Sequence, residues 1–207
     1  MASWIVARNK VLTKTEILAV LGDLKRKGRR SVNTRMNLIL FRLACCCGLR
    51  ASELTRLTLD AVRVGSTVPS IRISKAIGKG KKARVVPLSF DQGTLDDLRA
   101  WRQFRIEQGA TSTDLFICSQ SKGSFGKQID RRNARKRFKA CCRILGYERQ
   151  REMTIHNGRH SFISHALHAG HSIVEVKEAA GHASLGTVSI YAHLVGDDEG
   201  KIGNLFG

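Results

Sequence analysis

The hydrophobic pattern of this chain changes its period between residues 62 and 88, and this change decides the fold class. Before it, apolar residues recur at helical spacing, whereas Ile71 and Ile73 alternate with polar residues as in a half-buried strand. The run Arg84–Leu88 resumes the strand pattern after the turn Gly78–Gly80. Helical spacing then returns. The sequence therefore predicts a mainly α protein with one small antiparallel β-sheet (an α+β fold), undivided by any Pro-rich or Ser-rich linker.

Capping signals and glycine stops mark the predicted helix ends. The segments Thr13–Glu16 and Ser172–Glu175 fit capping boxes, in which the first and fourth residues satisfy each other's backbone amides. Glycines after apolar stretches favour helix ends at Gly28, Gly48 and Gly181. Besides the helices that begin at the two boxes, helices are predicted at Met36–Ala44, Ser52–Leu57, Leu95–Gln108 and Ile129–Leu145. A solvated linker is predicted at Lys25–Arg30 and a short strand at Leu115–Cys118.

The charge balance favours a polyanionic partner. There are 36 Lys and Arg residues against 17 Asp and Glu residues, a formal net charge of +19. Such an excess indicates nucleic acid first and an anionic membrane surface second. The longest apolar stretch, Met36–Phe41, is followed by Arg42 and is too short to span a bilayer, and no signal-peptide pattern opens the chain. We expect a protein of the cytoplasm, associated with the nucleoid, with no membrane partner.

The cysteine and histidine patterns predict neither disulfides nor a metal site. The six cysteines, Cys45–Cys47, Cys118 and Cys141–Cys142, lie in apolar runs without Cys-x-x-Cys spacing. We expect them to be reduced and buried. Four histidines without a nearby cysteine are predicted to be surface or capping residues rather than zinc ligands: His160, His165, His168 and His171.

A set of cationic residues is suited to a phosphodiester. Attack on a phosphodiester spreads negative charge over its nonbridging oxygens, and the planar, permanently charged fork of arginine binds two such oxygens at once. Arg50 follows the Gly48 helix stop, and Arg159 lies three residues after His156, on the same face of a helix or tight turn. His182 can donate a further hydrogen bond.

Tyr191 is the candidate nucleophile. A phenol with a pKa near 10 needs a base or a cationic pocket, and this chain supplies both. Lys79, on the turn between the predicted strands, can protonate the leaving sugar hydroxyl. The other tyrosine, Tyr147, lacks such neighbours and is predicted to be structural. No metal ion or other cofactor is required.

In order and spacing these residues resemble the catalytic domain of the tyrosine recombinase (phage integrase) family, over roughly Leu12–Leu194. By this resemblance, Arg50 in Gly-Leu-Arg-Ala-Ser-Glu-Leu matches the first catalytic arginine, and Glu53 the acidic residue that supports it. Lys79 matches the hairpin lysine that acts as general acid, with Lys81 as the alternative. The remaining matches are the His-x-x-Arg box at His156 and Arg159, the second histidine at His182, and the nucleophile at Tyr191.

The resemblance implies the fold of DNA breaking-rejoining enzymes and a reaction that needs neither metal nor ATP. One strand of double-stranded DNA is cut with a 3′-phosphotyrosyl link and a free 5′-hydroxyl, and a partner strand's hydroxyl reseals it. Members act as homotetramers on paired recombination sites, through a Holliday junction, often in mobile elements and with accessory DNA-bending or directionality factors. Two other interpretations stay open: a type IB topoisomerase-like enzyme that relaxes DNA, and a catalytically silent DNA-binding protein.

Two positions depart from the family pattern. Members usually have leucine where this chain has Gly158, inside the His-x-x-Arg box, and where it has Ala180, before Gly-His. Because glycine has no side chain, we expect Gly158 to lose a packing contact and to loosen the backbone beside Arg159.

The resemblance also suggests the chain's organisation. Residues 1–11 are predicted to be an N-terminal lead or linker remnant, residues 12–194 the catalytic domain, and residues 195–207 a tail that docks on a neighbouring subunit through Ile202, Leu205 and Phe206. Many members carry a helical domain of ~100 residues before the catalytic domain. The chain is then either an excised fragment or a naturally short enzyme like the fimbrial phase-switch recombinases.

A basic surface is predicted to bind the DNA backbone. Closely spaced arginines and lysines on one helix, and lysines on the hairpin turn, fit contacts with phosphates. The predicted DNA-binding residues are Lys81, Lys82, Arg131, Arg132, Arg135, Lys136 and Arg137.

Overall fold

The computed structural model describes residues 7–88, 91–181, 188 and 191. Eight α-helices run through these residues: α1 Lys14–Gly28, α2 Val32–Cys45, α3 Ala51–Leu54, α4 Gln92–Glu107, α5 Arg131–Cys141, α6 Tyr147–Glu152, α7 Ile155–His168 and α8 Ile173–Ala180. Three strands complete the fold: β1 Val62–Arg63, β2 Ser70–Ile73 and β3 Arg84–Pro87. None of the described helices is both long and apolar enough to cross a bilayer. The predicted mainly α architecture with one small sheet is confirmed.

Local capping chemistry sets the ends of α1 and α8 as predicted. The Thr13 hydroxyl accepts a hydrogen bond from the Glu16 amide at 3.1 Å, and the Glu16 carboxylate accepts one from the Thr13 amide at 2.8 Å. Ser172 and Glu175 repeat this arrangement at the start of α8. Gly181, at the end of α8, has a φ of +65°, a left-handed conformation that costs glycine little.

The prediction of a solvated linker at Lys25–Arg30 is wrong for most of that stretch. Helix α1 continues to Gly28, and Asp23 accepts hydrogen bonds from Arg26 at 2.7 Å and from Lys27 at 2.6 Å. These cations also lie where the negative end of the helix dipole favours positive charge. The basic stretch therefore forms the last turn of the helix.

The three strands form an antiparallel sheet in the order β1-β2-β3. Ile71 pairs with both Val62 and Val86, and these three side chains are buried. The turn between β2 and β3 carries Lys79, as the sequence predicts. The predicted strand at Leu115–Cys118 is wrong: Leu115 makes one isolated bridge with Thr58, and the buried Phe116 and Ile117 lie in a bend.

Helix α2 is the centre of the core and fixes the position of α7. It packs against α1, α4, α5 and α7, and Phe41 stacks on Phe138 of α5 with ring centroids 5.4 Å apart. Phe162 of α7 lies against Gly48, where a Cβ atom would come within 2.4 Å of the ring. Helix α7 is thus packed closely against α2 and against the residues that follow it.

All six cysteines are buried and free, as predicted. Burial raises the pKa of Cys46 to about 11 and that of Cys142 to about 12, so both remain thiols at neutral pH. They act as small core residues.

The described part of the predicted N-terminal lead is bound to α6 and α7. Arg149 donates hydrogen bonds to the carbonyl oxygens of Asn9 at 2.6 Å and Val11 at 2.7 Å. Asn157, which also caps the start of α7, donates to the carbonyl oxygen of Lys10 at 2.9 Å. The chain therefore enters the domain along the helix that carries the His-x-x-Arg box.

Candidate active site

A buried carboxylate organises the first predicted arginine. Arg50 is the residue directly before α3, and its backbone amide donates to Glu53 Oε2 at 2.8 Å while its Nη1 donates to Oε1 at 3.0 Å. Burial would raise the pKa of Glu53, but hydrogen bonds and positive charge from Arg84 and Arg50 lower it overall. Glu53 is therefore ionised and supports Arg50, the role that the resemblance implies.

The two predicted arginines meet at the C-terminal end of α8. Arg50 Nη2 donates to the carbonyl oxygen of Gly181 at 2.8 Å, and Arg159 Nη2 donates to that of Ala180. Arg159 Nη1 also donates to the carbonyl oxygen of Gly48 at 2.6 Å. Carbonyls at a helix end lack partners within the helix, so they are natural acceptors for these guanidinium groups. A guanidinium carries five N–H donors, which leaves each arginine donors for a phosphate.

Helix α7 carries three functional side chains on adjoining positions. His156 and Arg159 are three residues apart and His160 is four residues after His156, so the spacing brings all three to neighbouring parts of one helix surface. Arg159 is 6% exposed, whereas His156 is open to solvent. The arginine is thus fixed in the wall of the site and the first histidine lies at its mouth.

The expected packing loss at Gly158 does not occur. A Cβ atom at this position would lie 3.0 Å from both Cys45 Sγ and the Phe138 ring. These neighbours pack directly against residue 158, which is in regular helix. The expectation of a loosened backbone beside Arg159 is therefore wrong, because Gly158 belongs to a close-packed contact between α2, α5 and α7.

Tyr191 is buried beside Arg159 and is hydrogen-bonded to His160. It is 2% exposed and packs with Phe162 and Val188 in a small apolar cluster, and its hydroxyl meets His160 Nδ1. Burial raises the pKa of Tyr191 to about 12, against the lowering effect of the Arg159 charge. The phenol is therefore protonated at neutral pH and needs an acceptor for its proton.

His160 lies where it can accept a hydrogen bond from this phenol, and its prediction as a surface or capping residue is wrong. Burial, followed by the nearby His156 and Arg159, lowers the pKa of His160 to about 4. Its ring is therefore neutral at pH 7 and can accept a hydrogen bond from Tyr191. The spacing of four residues from His156 is the sequence signal that could have identified it.

Positive charge converges on His156 from four elements. Partial burial lowers the pKa of His156, and four cations lower it further: Arg135 of α5, Arg159 of α7, Arg50 before α3 and Lys79 of the hairpin turn. This field is what a phosphate with developing negative charge requires.

The hairpin turn presents Lys79 to the site. Lys79 and Lys82 line an open depression of about 410 Å³ together with Arg50, Arg84 and Gly181. Lys81 does not line this depression, and its backbone is in the left-handed region, with φ +54°. This geometry favours Lys79 over Lys81 as the general acid.

The predicted basic helix, α5, presents its cations on different sides. Arg135 contributes to the field at His156, and Arg131 lines a second depression beside α3. Arg132 and Lys136 are exposed. Arg137 instead donates hydrogen bonds to Asn133 at 2.7 Å and to Asn37 of α2 at 3.0 Å. Among the predicted DNA-binding residues of α5, Arg137 is therefore the one engaged in packing α5 on α2.

Arg84 is a second residue of the candidate site that the sequence does not predict. Its Nη1 and Nη2 donate to the two oxygens of Glu53 at 2.6 and 2.8 Å. Its place at the start of β3, directly after the lysine-rich turn, was the available signal. His182 and the tail residues Ile202, Leu205 and Phe206 lie outside the described residues.

Comparison with known proteins agrees with this geometry. The model of the phage integrase family matches residues 10–196. Tyrosine recombinase XerC of Pseudomonas putida is 35% identical over 148 residues, 71% of this chain and 44% of that protein. Tyrosine recombinase XerD of Pseudomonas putida is 32% identical over 149 residues, 72% of this chain and 46% of that protein. The chain thus spans less than half the length of these relatives.

Solved structures give the same fold. The post-cleavage complex of XerH site-specific recombinase with palindromic difH substrate has a TM-score of 0.71 at 25% identity, over 90% of this chain and 50% of that chain. A crystal structure of XerA recombinase has a TM-score of 0.70 at 19% identity, over 93% of this chain and 60% of that chain. The site described above therefore lies on a fold shared with recombinases.

Proposed function

Since this chain belongs to the phage integrase family, we propose that it is a site-specific DNA recombinase whose nucleophile is Tyr191. The observation that carries this proposal is the hydrogen bond between the buried Tyr191 and the partly buried His160, beside Arg159. It joins a nucleophile, a neutral proton acceptor and a fixed cation in one place, which is the requirement of covalent catalysis at a phosphodiester. The relatives are named tyrosine recombinases, so the comparisons do not favour the topoisomerase-like or catalytically silent alternatives.

In the proposed cleavage step, the Tyr191 oxygen forms a bond to phosphorus as the bond to the 5′-oxygen breaks. The phenolic proton passes to Nδ1 of His160, which is neutral at pH 7. Lys79 gives a proton to the departing 5′-oxygen. The strand then carries a 3′-phosphotyrosyl link and a 5′-hydroxyl, and attack by a partner strand's 5′-hydroxyl reverses the step without ATP.

The arginines stabilise the transition state in this proposal. Arg50 and Arg159 are held by the carbonyl oxygens of Gly181 and Ala180 at the end of α8, so they need little rearrangement to meet the nonbridging oxygens. His156, at the mouth of the site, and His182 are proposed to donate further hydrogen bonds to the phosphate.

The wider assembly is part of the same proposal. We infer double-stranded recombination sites as the substrate, a homotetramer that pairs two sites through a Holliday junction, and accessory DNA-bending factors. Arg131, Arg132, Arg135, Lys136, Lys81 and Lys82 are proposed to bind the DNA backbone. The place of action is the cytoplasm, on nucleoid or mobile-element DNA.

A nicked suicide duplex tests this function. The protein is incubated with duplexes made from the DNA that flanks its reading frame, nicked so that the cleaved end diffuses away and the covalent complex accumulates. We expect a denaturant-resistant adduct with the wild type and with Tyr147→Phe, and none with Tyr191→Phe. An adduct that persists in Tyr191→Phe would refute the assignment. Site-selective binding without any adduct would support the catalytically silent alternative.

A further inference from the structure

Arg84 uses every nitrogen of its guanidinium to join three elements. Nη1 and Nη2 donate to the carboxylate of Glu53, and Nε donates to the carbonyl oxygen of Ala179 at 2.9 Å. Its side chain is 9% exposed. Arg84 thereby connects β3, which follows the Lys79 turn, to α3 and to the last turn of α8.

At the end of α8, three consecutive backbone carbonyl oxygens each accept a hydrogen bond from a different arginine. The carbonyl oxygen of Ala179 accepts from Arg84, that of Ala180 from Arg159 and that of Gly181 from Arg50. Two of these arginines are the proposed phosphate ligands. The third, Arg84, uses each of its three nitrogens within the protein and fixes the turn on which the other two rest.

Arg84 also shares the buried Glu53 carboxylate with Arg50, and this sharing affects the position of the Arg50 side chain. Glu53 is fully buried, and an ionised carboxylate in such a place must be paired. Arg84 meets both carboxylate oxygens, whereas Arg50 gives Glu53 one side-chain nitrogen and keeps Nη2 on Gly181. Without Arg84, the carboxylate would have Arg50 as its remaining arginine partner, and Arg50 would be drawn away from the phosphate position.

The chain at Gly181 lies directly against Arg84. A Cβ atom at Gly181 would be 2.7 Å from Arg84 Cδ and 3.0 Å from Nε, and φ at Gly181 is +65°. Gly181 is thus favoured for two reasons: its backbone is left-handed, and Arg84 leaves no room for a side chain. Arg84 and Gly181 together fix the point from which the chain continues towards His182.

We propose that Arg84 is a positioning residue that holds the lysine hairpin, the Glu53–Arg50 pair and the end of α8 as one unit, so that groups from three elements address the same phosphate. This inference rests on the proposed function for its catalytic consequence. The positioning itself is a property of the protein without DNA, and it is measurable there.

The test compares Arg84→Ala and Arg84→Lys with Arg149→Ala. Arg149 is a matched control because it also meets both oxygens of a carboxylate, Glu16, and donates to backbone carbonyls, but at the N-terminal lead. Hydrogen exchange of the DNA-free protein, resolved by peptide, reports on α3 and α8. We expect exchange in the last turn of α8 to rise on the order of tenfold in Arg84→Ala and not in Arg149→Ala.

The functional consequence is measured with the suicide duplex. We expect Arg84→Ala to slow single-turnover cleavage on the order of 100-fold, the scale of a misplaced catalytic group, while DNA affinity and its salt dependence stay unchanged. Arg84→Lys should recover only part of the rate, because the single nitrogen of an ammonium cannot replace the three guanidinium nitrogens that meet Glu53 and the Ala179 carbonyl. Arg84→Ala combined with Glu53→Gln removes the unpaired buried charge, so it should fold well yet keep the faster exchange in α8.

The outcomes are distinct. Unchanged α8 exchange in both Arg84→Ala and the double variant would overturn the inference, and so would wild-type cleavage by folded Arg84→Ala. Faster α8 exchange together with an inactive wild type would instead uphold the positioning role and reject the proposed function.

Discussion

His160 Nδ1 and Tyr191 Oη share a hydrogen bond that connects α7 to the buried tyrosine. The two rings lie 5.5 Å apart at an angle of 38°, next to Arg159. The proposed nucleophile is therefore held ready by a residue that belongs to the same helix as the His-x-x-Arg box. Its hydrogen-bond partner and the proposed phosphate ligand Arg159 are adjacent residues of α7.

Replacement of His160 should separate cleavage from binding. We expect His160→Gln to slow single-turnover cleavage by about 100-fold or more, since general-base assistance and nucleophile alignment are both lost. DNA affinity should be unchanged, because the ring lies against Tyr191 rather than on the surface. His168→Gln, at the other end of α7, is the control and should cleave at the wild-type rate. Equal rates for His160→Gln and His168→Gln would contradict the role.

The same histidine predicts a direction for the effect of pH on stability. An unfolded histidine has a pKa near 6.5, whereas burial lowers the pKa of His160 to about 4. Between these values the unfolded chain binds a proton that the folded chain does not. The free energy of unfolding should therefore be at its full value above about pH 6.5 and should fall as the pH decreases towards about 4.

Urea denaturation across this pH window measures the effect. His160→Gln should show a weaker loss of stability than the wild type between about pH 6.5 and 4, with the remaining slope due in part to His156, whose pKa is also lowered. Parallel curves for the wild type and His160→Gln would show that the His160 ring is not held neutral by the fold.

Lys79 and Lys81 can be distinguished by the leaving group. If Lys79 protonates the 5′-oxygen, Lys79→Ala should lose activity on normal DNA and regain it on DNA with sulfur at the bridging 5′ position, because a thiolate leaves without an acid. With protein in saturating excess, which offsets the loss of its proposed backbone contact, Lys81→Ala should cleave both substrates much as the wild type does. Rescue of Lys81→Ala, with none for Lys79→Ala, would transfer the role to Lys81.

The packing at Gly158 makes an unusual prediction for a helical glycine. Gly158→Ala should lower the free energy of unfolding by about 1 to 3 kcal/mol, because the new methyl group meets Cys45 and Phe138 at 3.0 Å. Gly22→Ala in α1, where no atom lies within 4 Å of the added Cβ, should instead raise it by up to about 1 kcal/mol. Urea denaturation of the two variants checks both signs. A gain at both positions would refute the packing account.

Much of this site could be read from the sequence because its parts are local patterns. Capping boxes and glycine stops fixed the ends of α1 and α8, and period-2 alternation located the hairpin that carries Lys79. Arg50 and Glu53, three residues apart, needed only one turn of helix to meet. Such features depend on near neighbours in the chain.

Most of the errors concern contacts between residues far apart in sequence, and the one at Lys25–Arg30 is local. Arg84 and Glu53 are separated by 31 positions, as are His160 and Tyr191, and no spacing rule connects them. A packing contact was expected to be lost at Gly158 because its close neighbours, Phe138 and Cys45, come from α5 and α2. Lys25–Arg30 appeared as a linker because its charges obscured a helix that Asp23 stabilises. Contacts between distant elements are set by tertiary packing, which the local periodicity of a sequence does not report.

The most direct test of the central claim is mass spectrometry of the covalent complex with the suicide duplex. After nuclease and protease digestion, the nucleotide-bearing peptide is sequenced by fragmentation. We predict a single modified residue, Tyr191, joined to a 3′-phosphate. A nucleotide on Tyr147 or on any residue other than Tyr191 would contradict the account.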